Sequence, residues 1–202
     1  MAAPCAVLAP ANATMNYFTE RLNVRKAVIL FGFLLLVSGA ARTQGRTDGV
    51  TRATSEEDIR EAVLRYQMED WIRTVDKDEA EAKNQADKEA AQHYNFRIFF
   101  VKISGNDPTD DLMRRFAGVP RIVKKASNSE THKTAGMPVV DKESQERGII
   151  FSADDIRWLG KNHVKVEGGY HCDGLCGADY TFDMRFEKGK WIVRKARMNW
   201  IS

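Results

Sequence analysis

The C-terminal third of the chain alternates apolar and polar residues with a period of two. Within residues 161–170, Val164 and Val166 alternate with Lys165 and Glu167. Successive side chains of a β-strand point to opposite faces, so this pattern predicts a strand with one buried and one open face. A sheet made of such strands needs a second layer to cover its apolar face.

Further strand patterns surround this one. Residues 180–186 alternate in the same way, and a Gly-containing turn at 187–190 leads to a last strand over 191–201. Upstream, a strand over 148–159 is predicted to contain a bulge at Asp154-Asp155. Three shorter strands are predicted over 96–103, 121–127 and 139–140. The antiparallel run at the end of the chain predicts a curved antiparallel sheet.

Helical patterns come first in the chain. The capping box Thr54-x-x-Glu57 predicts the start of a core-packing helix over about 54–74. Residues 76–95 are rich in Ala, Glu, Lys and Gln, which predicts an exposed helix, with a short disordered stretch as the alternative. A short helix capped by Asp107 is predicted before the main run of strands. Helices followed by strands indicate an α+β domain over 54–202, after a flexible leader at 42–53.

A secretion segment is predicted at residues 1–41. Arg25 and Lys26 precede an uncharged apolar run that begins at Ala27 and ends at Val37. A positive flank, a short apolar run and small residues after it are typical of a signal peptide. The apolar run is about half of the ~20 residues that a membrane-spanning helix needs.

The small residues after the apolar run favour cleavage after Ala40 or after Ala41. An uncleaved signal anchor is the alternative, and Met15 is an alternative start. Membrane contact is expected only through residues 27–41, if they are retained. The expected location is the periplasm or the outside of the cell, or the inner membrane if the anchor is uncleaved.

The charge of the chain argues against nucleic-acid binding. The formal net charge is +3, and removal of residues 1–41 takes away three basic residues and one acidic residue, which leaves about +1. A nearly neutral domain has no long-range field that steers it onto phosphates. The expected partner is therefore an unidentified small molecule or a protein, and no cofactor is expected.

Cys172 and Cys176 flank a Gly-containing turn between two predicted strands. Export would place them in an oxidising compartment, where a disulfide is the expected state. Two alternatives remain open. His171, Cys172, Asp173 and Cys176 could supply metal ligands, and the two cysteines could form a redox-active pair.

The order of helices and strands, with Gly189-Lys190-Trp191 opening the last strand, resembles the nuclear transport factor 2-like fold of ketosteroid isomerases and SnoaL-type proteins. The stretch 148–202 also resembles a group of uncharacterised exported bacterial proteins. The first resemblance implies a cone of helices packed on a curved sheet. In catalytic members that cone holds a carboxylate base with tyrosine or acid donors.

Asp183, Tyr170 and Tyr180 have the residue types of such a site, but alternation turns Asp183 away from the apolar face and towards solvent. The leading hypothesis is therefore a non-enzymatic exported domain that binds a small molecule or a partner protein. The alternatives are a ketosteroid-isomerase-like lyase or isomerase, and an envelope structural module tethered by residues 27–41.

Overall fold

The computed structural model of the chain describes residues 48–131 and 137–202, with side chains from residue 56 onward. The described residues belong to one compact unit. The predicted secretion segment, with its apolar run and its two cleavage positions, lies outside them. Within the described ranges, no helix is both long enough and apolar enough to cross a membrane.

The first helix, α1, spans Asp48–Glu81 and contains 34 residues. The predicted helix over 54–74 is present, but both of its predicted ends are wrong. The capping box at Thr54 does not begin the helix, because the residues before it contain no helix breaker near that point. At the other end, the helix formers after Thr74 extend α1 by almost two turns.

The second helix, α2, spans Gln85–His93. Asn84 is its N-cap, since the Asn84 side chain accepts a hydrogen bond from the backbone N–H of Asp87 at 2.9 Å. The region predicted as one exposed helix is thus divided between the end of α1 and α2. The exposure is confirmed, because Ala91 is the buried residue of α2 and the others face solvent.

The main sheet has six strands in the order β2-β1-β5-β6-β7-β8. The strands and the short helix between the first two have these bounds: β1 Ile98–Lys102, α3 Asp110–Arg115, β2 Ile122–Lys125, β5 Gly148–Gly160, β6 His163–Asp173, β7 Cys176–Glu187 and β8 Lys190–Ile201. A separate two-stranded ladder pairs β3 (Ser129–Glu130) with β4 (Val140–Asp141).

The expectation of a purely antiparallel sheet is wrong for the first strands. β1 runs parallel to both of its neighbours, β2 and β5. Parallel neighbours need a crossover connection, and the chain between β1 and β2 supplies one because it contains α3. The strands β5 to β8 are joined by tight turns, and each pair of them is antiparallel as predicted.

Two local features of the antiparallel meander formed by β5 to β8 are as predicted. The pairing of β5 with β6 shifts register between Ala153 and Ile156, which is the predicted bulge. The turn between β7 and β8 places Lys188 at φ 52° and Gly189 at φ 81°. Two consecutive left-handed residues are the geometry of a tight two-residue hairpin.

The short helix α3 is correct in position, but its cap differs from the prediction. Thr109 is the N-cap, because its hydroxyl accepts a hydrogen bond from the Leu112 N–H at 3.1 Å. The Asp107 carboxylate instead accepts from the Ser127 N–H at 2.9 Å. Arg115 at the end of α3 forms ion pairs with Glu57, Asp58 and Glu61, which connects α3 to α1.

The core lies between α1 and one face of the sheet. On α1, Ile59, Val63 and Met68 are fully buried, and they pack in one cluster with sheet residues such as Phe151 and Phe182. The opposite face of the sheet carries a smaller cluster formed by Ile98, Phe100, Val139 and Ile150. The two faces of the sheet therefore differ: one is covered by the long helix, and the other is covered only at one end.

Asp141 anchors the segment around Val139, which covers one end of this second face. Its carboxylate is buried and accepts hydrogen bonds at 3.0 Å from the Lys124 ammonium and from the backbone N–H and hydroxyl of Ser144. The Ser144 N–H, supported by Lys124, holds the pKa of the Asp141 carboxyl below its usual value, although burial acts in the other direction.

Asp141→Asn should therefore lower the free energy of unfolding at pH 7 by about 1.5–3 kcal/mol, the usual contribution of hydrogen bonds to a charged group. The folded-state pKa is depressed, so the carboxylate stabilises the fold above its unfolded pKa, and this contribution is lost as the pH falls through the folded pKa. Urea unfolding across pH should show the difference from wild type shrinking in acid. Glu143→Gln, with a side chain 89% exposed, is the control, and equal stability of both variants at pH 7 would contradict the prediction.

Candidate functional site

One cross-strand row of residues runs over the sheet face opposite α1. Lys102 of β1 is paired in register with Ser152 of β5, and Ser152 with Gly169 of β6. Gly169 is paired with Asp179 of β7, and Asp179 with Trp200 of β8. Residues in register across neighbouring strands point to the same face. The row thus brings a lysine, an aspartate and a tryptophan from three distant parts of the sequence onto one surface.

A second row lies next to the first and contains Ile150, His171 and Gly177 in register. The two rows line a depression of about 220 Å³, and Tyr170 also borders it, although its ring packs against Trp71 of α1 on the other face of the sheet. Gly169 and Gly177 bring no side chain to it, so its floor is backbone and its rim is formed by larger neighbours. We call this feature the outer-face depression.

Steric contacts with the neighbouring strands explain why glycine occupies these positions. A Cβ atom added at Gly169 would overlap the carbonyl oxygen of Ala178 on β7, and one added at Gly168 would overlap the carbonyl oxygen of Ser152 on β5. At Gly177 the constraint is milder, with the Tyr170 oxygen at 3.3 Å. The pair at 168–169 thus permits a close approach of the neighbouring strands that no larger residue allows.

The rim carries two opposite charges. Lys102 is partly buried and Asp179 is exposed, and neither forms an ion pair with a side chain in the described ranges. By comparison, His163 on the same sheet is paired, since it lies 3.0 Å from the Asp183 carboxylate. Lys102 and Asp179 are therefore available to a ligand of matching charge.

His171 lies between these two groups in the depression. Burial lowers the pKa of its imidazole, and the positive charge of Lys102 lowers it further, while Asp173 acts in the opposite direction. His171 is thus neutral at physiological pH, with one nitrogen able to donate and the other to accept a hydrogen bond.

Trp200 forms the apolar wall of the depression. It is 56% exposed, whereas Trp191, nine residues earlier on the same strand, is 7% exposed and belongs to the core. The structure thus gives the two tryptophans of this strand different environments. An indole that remains half exposed on a sheet face offers a flat surface for stacking or apolar contact.

Cys172 and Cys176 lie at disulfide distance, with their Cα atoms 5.3 Å apart, and close the hairpin between β6 and β7. His171 precedes Cys172 and Gly177 follows Cys176, so the crosslink lies directly beside the depression. The cysteine side chains themselves face the core. The predicted pairing is thus seen, and it constrains two residues that line the site.

The positions of His171, Cys172 and Asp173 do not match a metal site. Alternation places His171 on the opposite face of the sheet from Cys172, and Asp173 lies 3.8 Å from the Arg147 guanidinium. Within residues 48–131 and 137–202, no group of three or more His, Cys, Asp or Glu side chains is arranged to hold a metal ion.

A cluster of tyrosines lies on the other face of the sheet, beside α1. Tyr66 of α1, Tyr170 and Tyr180 are half-buried, and the last two share a side-chain hydrogen bond. Burial raises the pKa of all three hydroxyls, and the negative charge of Asp70 adds to this effect. These phenols are therefore neutral hydrogen-bonding groups throughout the physiological range.

The carboxylate next to this cluster is not enclosed. The Asp70 side chain is 35% exposed and forms an ion pair with Arg73. Asp183, the aspartate considered from the sequence, lies on the opposite face of β7, where it pairs with His163 and its side chain is 30% exposed. The tyrosines expected from the resemblance thus come together, but neither aspartate joins them as a buried base.

Sequence reasoning singled out Cys172 and Cys176 for a disulfide and Tyr170 for a different site, and it missed Lys102, Asp179 and Trp200 as members of one site. Their proximity depends on strand order, because β1 lies next to β5 although almost fifty residues separate them in the chain. One signal was available: two consecutive glycines inside a strand indicate a close backbone approach.

Comparison with known proteins adds no further assignment. No family model matches the chain, and no curated protein and no solved structure matches it.

The disulfide gives a direct prediction. Peptide mapping by mass spectrometry of unreduced protein should recover Cys172 and Cys176 in a crosslinked form that does not react with an alkylating reagent, and reduction should release two thiols. Replacing both with alanine should lower the free energy of unfolding by about 2 kcal/mol or less, because the closed loop is short. Two reactive thiols in the unreduced protein would contradict the assignment.

Proposed function

We propose that the domain is a non-enzymatic binding module, and that it binds a small molecule in the outer-face depression. The observation that carries this proposal is the row from Lys102 to Trp200. It places a free ammonium group, a glycine floor, a free carboxylate and an exposed indole side by side. Convergent polar groups beside an apolar wall are the usual composition of a small-molecule site.

The rigidity of the surroundings supports this proposal. The floor belongs to the central strands of a six-stranded sheet, and the disulfide closes the hairpin that carries His171 and Gly177. A site on regular strands holds its side chains in fixed relative positions, which reduces the entropy lost on binding.

The nuclear transport factor 2-like resemblance remains part of the proposal. It is supported by a long helix packed on an antiparallel meander that is preceded by a short strand–helix–strand unit. In this domain the proposed site lies on the sheet face away from the helix, outside the cone that the resemblance implies.

A ketosteroid-isomerase-like activity ranks second. The hydrogen-bonded pair Tyr170 and Tyr180, with Tyr66 nearby, favours it because neutral phenols can donate to a developing oxyanion. A general base must also reach the substrate, and the Asp70 side chain is about one-third exposed and forms an ion pair with Arg73.

The binding proposal predicts a stabilisation that depends on Trp200. A compact ligand of the site should raise the melting temperature of the wild-type protein, since a ligand at 100 times its Kd adds about 2.7 kcal/mol to the stability. A thermal-shift screen of amino acids, organic acids, amines and sugars would identify it, and Trp200→Ala should abolish the shift.

Leu159→Ala is the matched control, because Leu159 is an apolar side chain 47% exposed on the same sheet but outside the depression. It should retain the full shift. A shift of equal size in Trp200→Ala, or no shift with any compound of the screen, would contradict the proposed function.

We further propose that the domain is exported. The cysteine pair at disulfide distance is consistent with an oxidising compartment. Mass spectrometry of the N-terminus, from membranes and from the periplasm of the expressing cell, should find a mature start at Ala41 or at Arg42. A chain that retains residues 27–41 in the membrane would favour the tethered module, and an intact chain in the cytosol would contradict export.

A further inference from the structure

We infer that the outer-face depression binds a zwitterion, specifically a free α-amino acid with an apolar side chain. This inference rests on the proposed function and names the ligand class. It starts from the two charges of the rim, which have opposite signs and no ion-pair partner among the described residues.

The spacing of the two charged residues suits a ligand between them. Lys102 and Asp179 belong to the same cross-strand row and are separated by three strand spacings, which is about 14 Å between Cα atoms. Side chains stand roughly perpendicular to a sheet, so the two charged groups flank the glycine floor, and the long lysine side chain can bend over it. The space between them admits a small group that carries a carboxylate towards Lys102 and an ammonium towards Asp179.

A ligand with one charge fits less well. An anion would pair with Lys102 and place its own charge near the Asp179 carboxylate, and a cation would have the corresponding conflict with Lys102. A zwitterion satisfies both groups and forms two charge-assisted hydrogen bonds, which are stronger than neutral ones. The neutral imidazole of His171 adds a donor or an acceptor without disturbing this balance.

The remaining walls indicate an apolar side chain. Trp200 offers its indole at one end of the row, and Ile150 lines the depression from the second row. The ligand ammonium, next to Asp179, also lies beside the indole, where a cation–π contact is favourable.

The size of the depression limits the ligand to a compact molecule. Its volume of about 220 Å³ lies below the ~300 Å³ of the smallest drug-sized pockets. A single amino acid is of this size, whereas a longer peptide would extend out of the depression.

The test uses isothermal titration of the domain with L-leucine, L-methionine and L-phenylalanine, followed by two derivatives of the tightest binder. The methyl ester keeps the ammonium and removes the carboxylate, and the N-acetyl derivative does the reverse. Each derivative should bind at least about tenfold more weakly than the parent, the factor expected for losing a hydrogen bond to a charged group.

Two variants assign each charge to its partner. Lys102→Met should weaken binding of the amino acid and should no longer distinguish it from its methyl ester. Asp179→Asn should weaken binding and should no longer distinguish the amino acid from its N-acetyl derivative. Lys161→Met, in the turn between β5 and β6, and Asp155→Asn, on β5, are the controls, because both residues are exposed and neither lines the depression, and they should bind as wild type does.

The possible failures are distinguishable. The zwitterion inference is wrong if the N-acetyl derivative or the ester binds as tightly as the parent. It is also wrong if no amino acid binds while another compound gives a Trp200-dependent thermal shift. In both cases the proposed binding site is retained. If an amino acid binds equally well to Trp200→Ala and to both charge variants, the site itself is wrong as well.

Discussion

The packing of α1 against one face of the sheet is the interaction on which the rest of the structure depends. The helix contributes Ile59, Val63, Leu64 and Met68, which are fully buried against aromatic residues of the strands. Truncating a large side chain of this kind to alanine typically lowers the free energy of unfolding by about 2–5 kcal/mol. The helix therefore determines which face of each strand points into the core. Once that face is assigned, the period of two assigns the outer face without further choice.

The outer face of the sheet carries the polar side chains that a ligand can reach. At one end it is covered by the segment around Val139, which Asp141 holds through Lys124 and Ser144. Further along, glycines replace side chains, and the surface becomes a depression. Gly169 therefore serves two purposes: it allows close strand packing, and it also leaves the floor of the proposed site free of a side chain.

The free edge of the sheet explains the basic residues of the last strand. β8 is one of the two edge strands, and its pairing with β7 shifts register twice, between Asp179 and Tyr180 and between Asp183 and Met184. Bulges and positive charges, here including Lys195 and Arg197, are common means of protecting an exposed edge from pairing with another chain. The basic stripe therefore needs no anionic ligand to account for it, and the charges relevant to binding lie elsewhere.

The sequence alone determined the local and periodic features of this protein. Strand alternation predicted β5 to β8, the bulge near Asp154 and the hairpin at Gly189, because these depend on side-chain period and on backbone conformations that only certain residues adopt. The Gly-containing turn between Cys172 and Cys176 predicted that the two cysteines lie close enough to pair, and their Cα atoms are 5.3 Å apart. Helix ends were predicted less well, since several weak signals compete near each end and no single cap decides it.

Tertiary structure alone decided strand order, the parallel direction of β1, and the composition of the candidate site. Lys102, Asp179 and Trp200 carry no local pattern that relates them, and they become neighbours only because β1 pairs with β5 and the meander continues to β8. Pairing between distant strands depends on how the whole apolar surface is covered, which is a property of the complete chain and not of any segment. The site is for this reason a consequence of the fold, while the strands that carry it were already evident in the sequence.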